Sequence, residues 1–258
     1  MKPGKKEKQK QKKAIFKAKY GYYPLSKTAP RRHYGYKRVV RDTRDYSRAE
    51  NVKIIKSEDA LFDIAKSGDY TYFDKPQLAA IKNPHLKDEN KFLELINGDY
   101  EYHIRMAAVR RIRNDEILIG LLKNHSDWHV RYAALDSIHK IDESLINDVA
   151  LNDEDFLVRR EAVKYVKDQD TLVFISRNDE DAIVRIDALK KIRNMDIVVY
   201  QAKNDPNWRV RIAAIELIKD LDILEGLLEN EKDLFVQEAI EGKLENLTKQ
   251  KKFKKIDK

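Results

Sequence analysis

The sequence lacks cysteine altogether and contains only eight glycines. Without cysteine there is no disulfide framework and no thiolate metal site, which fits a reducing compartment. No glycine-rich phosphate-loop pattern is present, so a nucleotide site of that kind is not expected. No apolar run approaches the roughly 18–20 residues of a membrane span, and no apolar stretch follows the charged amino terminus as it would in a secretory signal. The sequence therefore predicts a cytoplasmic protein without a membrane partner.

Charge is abundant, and it is distributed unevenly. Of the 258 residues, 37% are charged, and the net charge is +8. Residues 1–56 carry nineteen Lys or Arg against four acids, and residues 247–258 carry six Lys against one acid. The residues between these basic ends have a net charge of −12. This division predicts different partners for the ends and for the middle of the chain.

One short sequence recurs along the middle of the chain. Its clearest copy is Trp208-Arg209-Val210-Arg211, followed by apolar residues at helical spacing. The arginine that anchors each copy stands at Arg105, Arg131, Arg159, Arg185 and Arg211, with Gln237 in a late copy, Gln77 in an early one and Arg48 in a further candidate. The spacing of 26 to 29 residues predicts stacked supersecondary units.

Each repeat reads as two helices, the first beginning near the Val-Arg pair. A short break carries an acid, at Asp170, Asp196 or Asp222, and a shorter second helix follows. The asparagine that ends the second helix is expected to adopt left-handed geometry: Asn124, Asn152, Asn178, Asn204 and Asn230. A small residue recurs three positions after the anchor and is expected to face the next repeat: Ala80, Ala108, Ala134, Ala162, Ala188 and Ala214.

The pattern acid-x-x-Val-Arg-x-x-Ala, followed by a short Asp-led helix, resembles the HEAT-like repeat family. The match is to its short variants, similar to phycobilisome-lyase-type repeats and leucine-rich-repeat variants. The resemblance implies an all-α fold, a right-handed α-solenoid of about seven two-helix repeats over residues 47–246. An extended basic arm, residues 1–46, precedes it and a Lys-rich tail, residues 247–258, follows it. Such repeats serve scaffolds, adaptors and a few enzymes, so the resemblance does not fix the chemistry.

Three periodic series allow a structural and a functional interpretation. The anchoring arginines follow Glu101, Asp127, Asp155, Asp181 or Asn207 by four residues, and we expect these side chains to bond repeat to repeat. A second cationic series either satisfies helix ends or lines an edge for an anionic polymer: Arg113, His139, Lys167, Arg193 and Lys219. An aromatic series either packs loops or stacks bases: Tyr102, Trp128, Phe156 and Trp208.

The arm carries the strongest functional signal. Its glycines and prolines disfavour a long helix, and cations alternate with tyrosines along it. Cations neutralise phosphates and tyrosines stack on unpaired bases, so the candidate nucleic-acid-binding residues are Arg31, Arg32, Tyr34, Tyr36, Lys37, Arg38, Arg41 and Arg44. The alternatives are docking onto the acidic repeats or an acidic protein, and a tail that only aids solubility. We expect residues 1–46 to be disordered until they bind.

These observations predict a non-catalytic binding protein. The arm, with Lys251, Lys252, Lys254 and Lys255 of the tail, would contact RNA, for example within a ribonucleoprotein such as a ribosome. The acidic repeats would present a surface to a protein. The alternative is a pure protein–protein scaffold, and a DNA glycosylase-like enzyme comes third because the acidic body disfavours a DNA cleft. No metal site, cofactor or small-molecule substrate is predicted; His125 and His129 lack a third ligand at a useful spacing.

Overall fold

The structure is a computed structural model that describes residues 7, 10–11, 14–15, 49–67 and 75–256. Within these ranges every regular element is a helix, and no strand is present. None of these helices is both long enough and apolar enough to cross a bilayer. The chain divides into an amino-terminal unit, Met1–His139, and a carboxy-terminal unit, Lys140–Lys258.

The amino-terminal unit is built from helix pairs that follow one another in sequence. Its described helices are α1 (Glu58–Lys66), α2 (Lys75–Lys82), α3 (Glu89–Asn97), α4 (Tyr102–Val109), α5 (Asp115–Asn124) and α6 (Trp128–Ser137). The pairs α1/α2, α3/α4 and α5/α6 pack closely, and α4 also packs on both α2 and α6. The second member of each pair therefore forms a continuous layer of this unit.

The carboxy-terminal unit repeats this arrangement. Its described helices are α7 (Glu143–Asn152), α8 (Phe156–Val163), α9 (Gln169–Asn178), α10 (Ala182–Leu189), α11 (Met195–Asn204), α12 (Trp208–Leu217), α13 (Leu221–Leu228) and α14 (Leu234–Ile256). The pairs α7/α8, α9/α10, α11/α12 and α13/α14 pack closely. Successive even-numbered helices also pack on one another, and α7/α9 and α11/α13 are in contact in the second layer. This succession of packed pairs is consistent with an α-solenoid.

The pairing differs in phase from the sequence interpretation. The closest pairs join an Asp- or Asn-led helix to the Val-Arg helix that comes after it, rather than a Val-Arg helix to its own follower. The connection inside a pair is only a few residues long, for example between Asn178 of α9 and Ala182 of α10. Short connections hold consecutive helices side by side, so the turn after each asparagine defines the structural repeat.

Capping side chains explain where most helices begin. The residue before the helix accepts a hydrogen bond from a free backbone N–H of the first turn, as Asp and Asn do well. This bond is made by Ser57, Asp88, Asn114, Asp127, Asp155, Asp168, Asp181, Asn194, Asn207 and Asp220. Asp170, Asp196 and Asp222 therefore lie inside the first turn of their helices rather than in the break before it.

The asparagines close their helices differently from our expectation. Asn124, Asn178 and Asn204 are the last residues of right-handed helices, and each side-chain amide donates to the carbonyl four residues earlier, at 2.8–3.0 Å. The next residue is extended rather than left-handed, with φ and ψ of −61° and 137° at Asp179. The predicted left-handed geometry is therefore wrong for these helices. In each helix the asparagine side-chain amide supplies a hydrogen bond to a carbonyl group of the last turn instead.

The repeated alanine is part of the core. Ala80, Ala108, Ala134, Ala162, Ala188 and Ala214 are all 0% exposed, as expected of a position where only a small residue fits. In the carboxy-terminal unit Ala214 belongs to one apolar cluster with Leu189, Val210 and Ile218. The last helix, α14, runs from Leu234 through Ile256, so its backbone continues through most of the predicted tail at 247–258.

Candidate functional site

The predicted nucleic-acid-binding residues lie outside the part of the chain that the structure describes. They are Arg31, Arg32, Tyr34, Tyr36, Lys37, Arg38, Arg41 and Arg44. Their interaction with nucleic acid therefore stays a prediction. The expectation that residues 1–46 form an extended arm also stays a prediction, except at residues 7, 10–11 and 14–15, which are described and are helical rather than extended.

Residues on either side of that segment are bonded to each other. Residues 10–11 and 14–15 are helical, and Ala14 is only 2% exposed. Gln11 Nε2 donates to Ile54 O at 2.7 Å, and Gln11 Oε1 accepts from Lys56 N at 2.8 Å. Glu7 Oε1 forms an ion pair with Lys56 Nζ at 3.2 Å. Glu7 and Gln11 are thus held next to the residues that precede α1.

The anchoring arginines make the most extensive polar contacts of the carboxy-terminal unit. Arg185 donates from Nε and Nη2 to the two carboxylate oxygens of Asp205, both at 2.9 Å. Arg159 bonds Asp179 in the same two-pronged way at 2.8 and 2.9 Å, and Arg211 bonds Glu231 at 2.9 and 3.2 Å. Such bidentate, charge-assisted pairs are among the strongest hydrogen-bonded contacts in proteins.

Each arginine also bonds the loop before its own helix. Arg185 Nη1 donates to Asp179 O at 2.8 Å and to Glu180 O at 3.2 Å, and Arg159 donates to Asp153 O at 2.9 Å. The acid in the partner loop has a second bond of its own, because Asp205 Oδ1 accepts from Asn207 N at 2.8 Å. One arginine therefore fastens two successive loops, whose ion-pair residues are twenty positions apart in sequence.

The expectation that arginine and acid bond repeat to repeat is confirmed, but in the carboxy-terminal unit the acids are different ones. The acid four residues before the arginine caps a helix, whereas the ion-pair partner follows it by twenty residues. That partner comes directly after the helix-ending asparagine, as in Asn178-Asp179 and Asn204-Asp205. The Asn-acid dipeptide was therefore the sequence signal for the partner.

Glutamine replaces arginine at two positions of the series. Gln237 Nε2 donates to Glu231 O at 2.7 Å, which keeps the loop bond and omits the carboxylate pair. Gln77 Nε2 likewise donates to Ser67 O at 2.8 Å, and its side chain is buried. A neutral donor is therefore sufficient for the bond to the loop carbonyl at both positions. These contacts support an architectural role for the series.

The amino-terminal unit has a variant of this network, centred on Asp127. Arg105 Nη2 lies 2.8 Å from Asp127 Oδ2, and His129 Nδ1 lies 2.9 Å from Asp127 Oδ1. Burial alone would raise the pKa of Asp127, but hydrogen bonds from His129 and the nearby Arg105 lower it below its ordinary value. The His129 ring stacks on Trp128 at 3.7 Å and on Tyr102 at 4.4 Å between ring centres.

The aromatic series packs from one repeat to the next in both units. In the amino-terminal unit Tyr102 meets His129, and in the carboxy-terminal unit Trp208 stacks on Phe235 at 5.5 Å. These contacts favour the packing interpretation over base stacking. Tyr102 and Trp208 nevertheless keep 48% and 38% of their surface exposed.

The second cationic series lies on the surface. Arg113, His139, Lys167, Arg193 and Lys219 are all exposed and follow the ends of their helices. The backbone N–H groups of Arg113, His139 and Arg193 bond side chains 24 residues earlier. Within the described residues, the side chains of Arg113, Lys167, Arg193 and Lys219 make no ion pair.

Other cations, not singled out from the sequence, bind helix ends. Lys191 Nζ donates to Val163 O at 2.7 Å and Lys164 O at 2.6 Å, and burial lowers the pKa of Lys191. Arg111 bonds Leu86 O at 2.7 Å and also the carbonyl of Ile81. Because carbonyls at a helix carboxyl end carry partial negative charge, these cations join one repeat to the preceding one. Both lie six residues after an anchoring arginine, but Ser137, Tyr165 and Leu217 occupy this position in other repeats, so the sequence shows no continuous cationic series there.

Shallow grooves and exposed rings are the remaining surface features. A groove of about 510 Å³ is lined by Gly226 and by several charged residues, of which Arg211 and Glu231 are paired with each other. Among the described residues no group of three or more His, Cys, Asp or Glu side chains is placed to hold a metal ion. Phe174 and Tyr200 are 58% and 51% exposed on the Asp- or Asn-led helices of the carboxy-terminal unit.

Comparison with known proteins adds no identification. No family model matches the chain, and no curated protein matches it. The function is therefore inferred from the residues of the chain.

Proposed function

We propose that this chain is a non-catalytic binding protein that brings an RNA and a protein together. Its basic arm, residues 1–46, contacts single-stranded RNA, for example in a ribonucleoprotein such as a ribosome, and its helical repeats present a surface to a protein. We assign the repeats to the HEAT-like family, as an α-solenoid of about seven short two-helix units in the cytoplasm. No cofactor takes part.

The observation that carries this proposal is the composition of residues 1–56. They hold nineteen Lys or Arg against four acids, whereas residues 57–246 have a net charge of −12. Release of counterions from RNA phosphates favours binding to the basic segment, and its interleaved tyrosines offer rings for unpaired bases. The repeats lack this excess of cations, so we assign the RNA contact to the arm.

A pure protein scaffold is the second candidate, because the beginning of the arm contacts the chain itself just before α1. Glu7 pairs with Lys56, and Gln11 bonds the backbone of Ile54 and Lys56. In that alternative the rest of the arm docks on acidic protein surfaces and RNA is not its partner.

Fluorescence anisotropy with labelled single-stranded RNA tests the proposal on the full chain. We expect binding that weakens steeply as salt rises, and that exceeds binding to a duplex DNA of equal length. A chain that fails to bind single-stranded RNA at physiological salt, yet captures the same proteins from lysate before and after ribonuclease treatment, would be a scaffold.

A further inference from the structure

Two adjacent repeats of the carboxy-terminal unit differ from their neighbours on the exposed face of the Asp- or Asn-led helices. Phe174 on α9 and Tyr200 on α11 occupy the same repeat position, 26 residues apart, and are 58% and 51% exposed. The previous repeat has Asp148 there and the following one has Gly226. Other repeats fold without an aromatic residue at this position, so the packing of the repeats does not require these two rings.

The rings belong to a wider surface with an ordered arrangement of charge. Residues i, i+4 and i+7 share one face of a helix. On α9 that face carries Asp170, Phe174 and Arg177, and on α11 it carries Asp196, Tyr200 and Lys203. We call these six residues the 170–203 strip. In each helix an acid precedes the ring and a cation follows it.

A direct contact joins the two helices across the strip. The Arg177 guanidinium lies over the Tyr200 ring, 5.0 Å from its centre. The core does not use the strip, because Leu172, Ile175, Val198 and Ala202 fill the interior from the other sides of the same helices.

The charged members of the strip have no counter-charge within residues 75–256. Asp170, Arg177, Asp196 and Lys203 are all exposed, and none forms an ion pair there. In this unit the anchoring arginines, by contrast, each pair with an acid of the following loop. The strip therefore combines exposed aromatic area with charges of both signs that are available to a partner.

We propose that the 170–203 strip binds an amphipathic protein segment whose apolar residues have carboxylates along one flank and amines along the other. The apolar residues cover Phe174 and Tyr200, the carboxylates meet Arg177 and Lys203, and the amines meet Asp170 and Asp196. This inference rests on the proposed protein-binding role of the repeats and names the surface and the chemistry of the partner.

Charge argues for a protein and against a nucleic acid at this surface. Residues 140–246 hold sixteen Lys or Arg against twenty-five acids, a net charge of −9, which repels a polyanion. Asp170 and Asp196 lie one turn from the rings and oppose phosphates directly. A protein segment supplies both signs of charge, and exposed aromatic residues are the usual anchors of protein interfaces.

A displayed library of helical peptides, selected on the full chain, provides the probe. Selected peptides are measured against the unmodified chain, the variant Phe174→Ala with Tyr200→Ala, and the control Trp208→Ala with Phe235→Ala. The control removes another exposed aromatic pair of the same unit. We expect mixed-charge amphipathic peptides whose affinity falls about tenfold or more for the first variant and little for the control.

A charge exchange sharpens the test. Arg177→Glu with Lys203→Glu should weaken the selected peptides, and peptides with Lys in place of the carboxylate flank should regain affinity for this variant only. If the selected peptides bind the Phe174→Ala, Tyr200→Ala variant with unchanged affinity, the strip is not their binding surface, while the protein-binding role of the repeats is left intact. Failure to select any peptide would overturn both. A lower affinity of the ring variant for a single-stranded oligouridylate would assign the strip to nucleic acid and overturn the inference.

Discussion

Arg159, Arg185 and Arg211 each hold two loops in place from a largely buried position. The Arg185 side chain is 9% exposed and that of its partner Asp205 is 2% exposed. Charges so far from water are tolerated only when they are paired and fully hydrogen-bonded. The regular spacing of these arginines, visible in the sequence, therefore reflects a structural requirement that recurs from loop to loop.

Replacing Arg185 with Gln should destabilise the protein by about 3–5 kcal/mol, because Asp205 would then be buried without its counter-charge. Gln keeps the loop bond, as Gln237 does naturally, so the change isolates the ion pair. Urea unfolding measures the difference. The matched variant Arg209→Gln, at an exposed arginine, should change stability by less than about 0.5 kcal/mol. Equal effects of the two changes would show that the buried pair has no special role.

Glu231 should make stability depend on pH in a definite direction. Burial alone would raise its pKa, but hydrogen bonds from the Asp233 and Lys232 N–H groups and from Arg211 lower it below the ordinary 4.5. A carboxylate with a lowered folded pKa contributes stability above its unfolded pKa and loses it as pH falls. The stability difference between the unmodified chain and Glu231→Gln should thus be full above pH 4.5 and shrink below it. A difference that grows on acidification would contradict this assignment.

The sequence predicts where the anchoring arginines lie but not which acids pair with them. The arginine positions followed from their period, but their partners are twenty residues downstream. The acid at four residues' distance was the nearer choice in sequence, and a helix N-cap requires just such an acid. The sequence alone does not show which acid caps a helix and which one pairs with the arginine, because that depends on how the loops are positioned in space.

At the scale of the helix, the repeat predicted the elements well and their ends less well. The apolar spacing located the Val-Arg helices, and Asp- or Asn-led helices such as Met195–Asn204 were expected a few residues shorter. The asparagine ends were misassigned because asparagine has two ways to finish a helix. It tolerates left-handed geometry, and its amide also reaches the carbonyl four residues back, which prevails here.

The Ala188→Leu change should destabilise by about 1–3 kcal/mol, because this position is fully buried between packed helices. Ala182→Leu, on the same helix, is the control. Tyr102, Trp128, Phe156 and Trp208 occupy its position in other repeats, so a large side chain should fit there with little cost. Thermal unfolding compares the two. A Leu at position 188 that leaves unfolding unchanged would mean that the alanine position does not limit helix approach.

At the scale of the whole molecule, charge separates the ends of the chain from its repeats. Residues 1–56 have a net charge of +15 and residues 57–246 one of −12. The repeats could be predicted because each helix buries a periodic apolar face. The arm has no such period, so its composition predicts a class of ligand without predicting a conformation.

The bonds and burial of Glu7, Gln11 and Ala14 determine how the arm should be tested. Deleting residues 1–46 would remove these docked residues and disturb the repeats as well as the RNA-binding segment. Substitution within the arm avoids this problem. The helical repeats also offer a control with an equal number of exposed cations: Arg113, Lys167, Arg193 and Lys219.

The most direct measurement is the salt dependence of binding to single-stranded RNA by two four-site variants. In the arm variant Arg31, Arg32, Lys37 and Arg38 become Gln. In the control the four exposed cations of the helical repeats become Gln. We predict that the arm variant alone binds more weakly, and that the slope of log affinity against log salt falls by about 0.7 for each phosphate that the arm no longer neutralises. An arm variant that binds as tightly as the unmodified chain, with the same slope, would contradict the RNA-binding role of the arm.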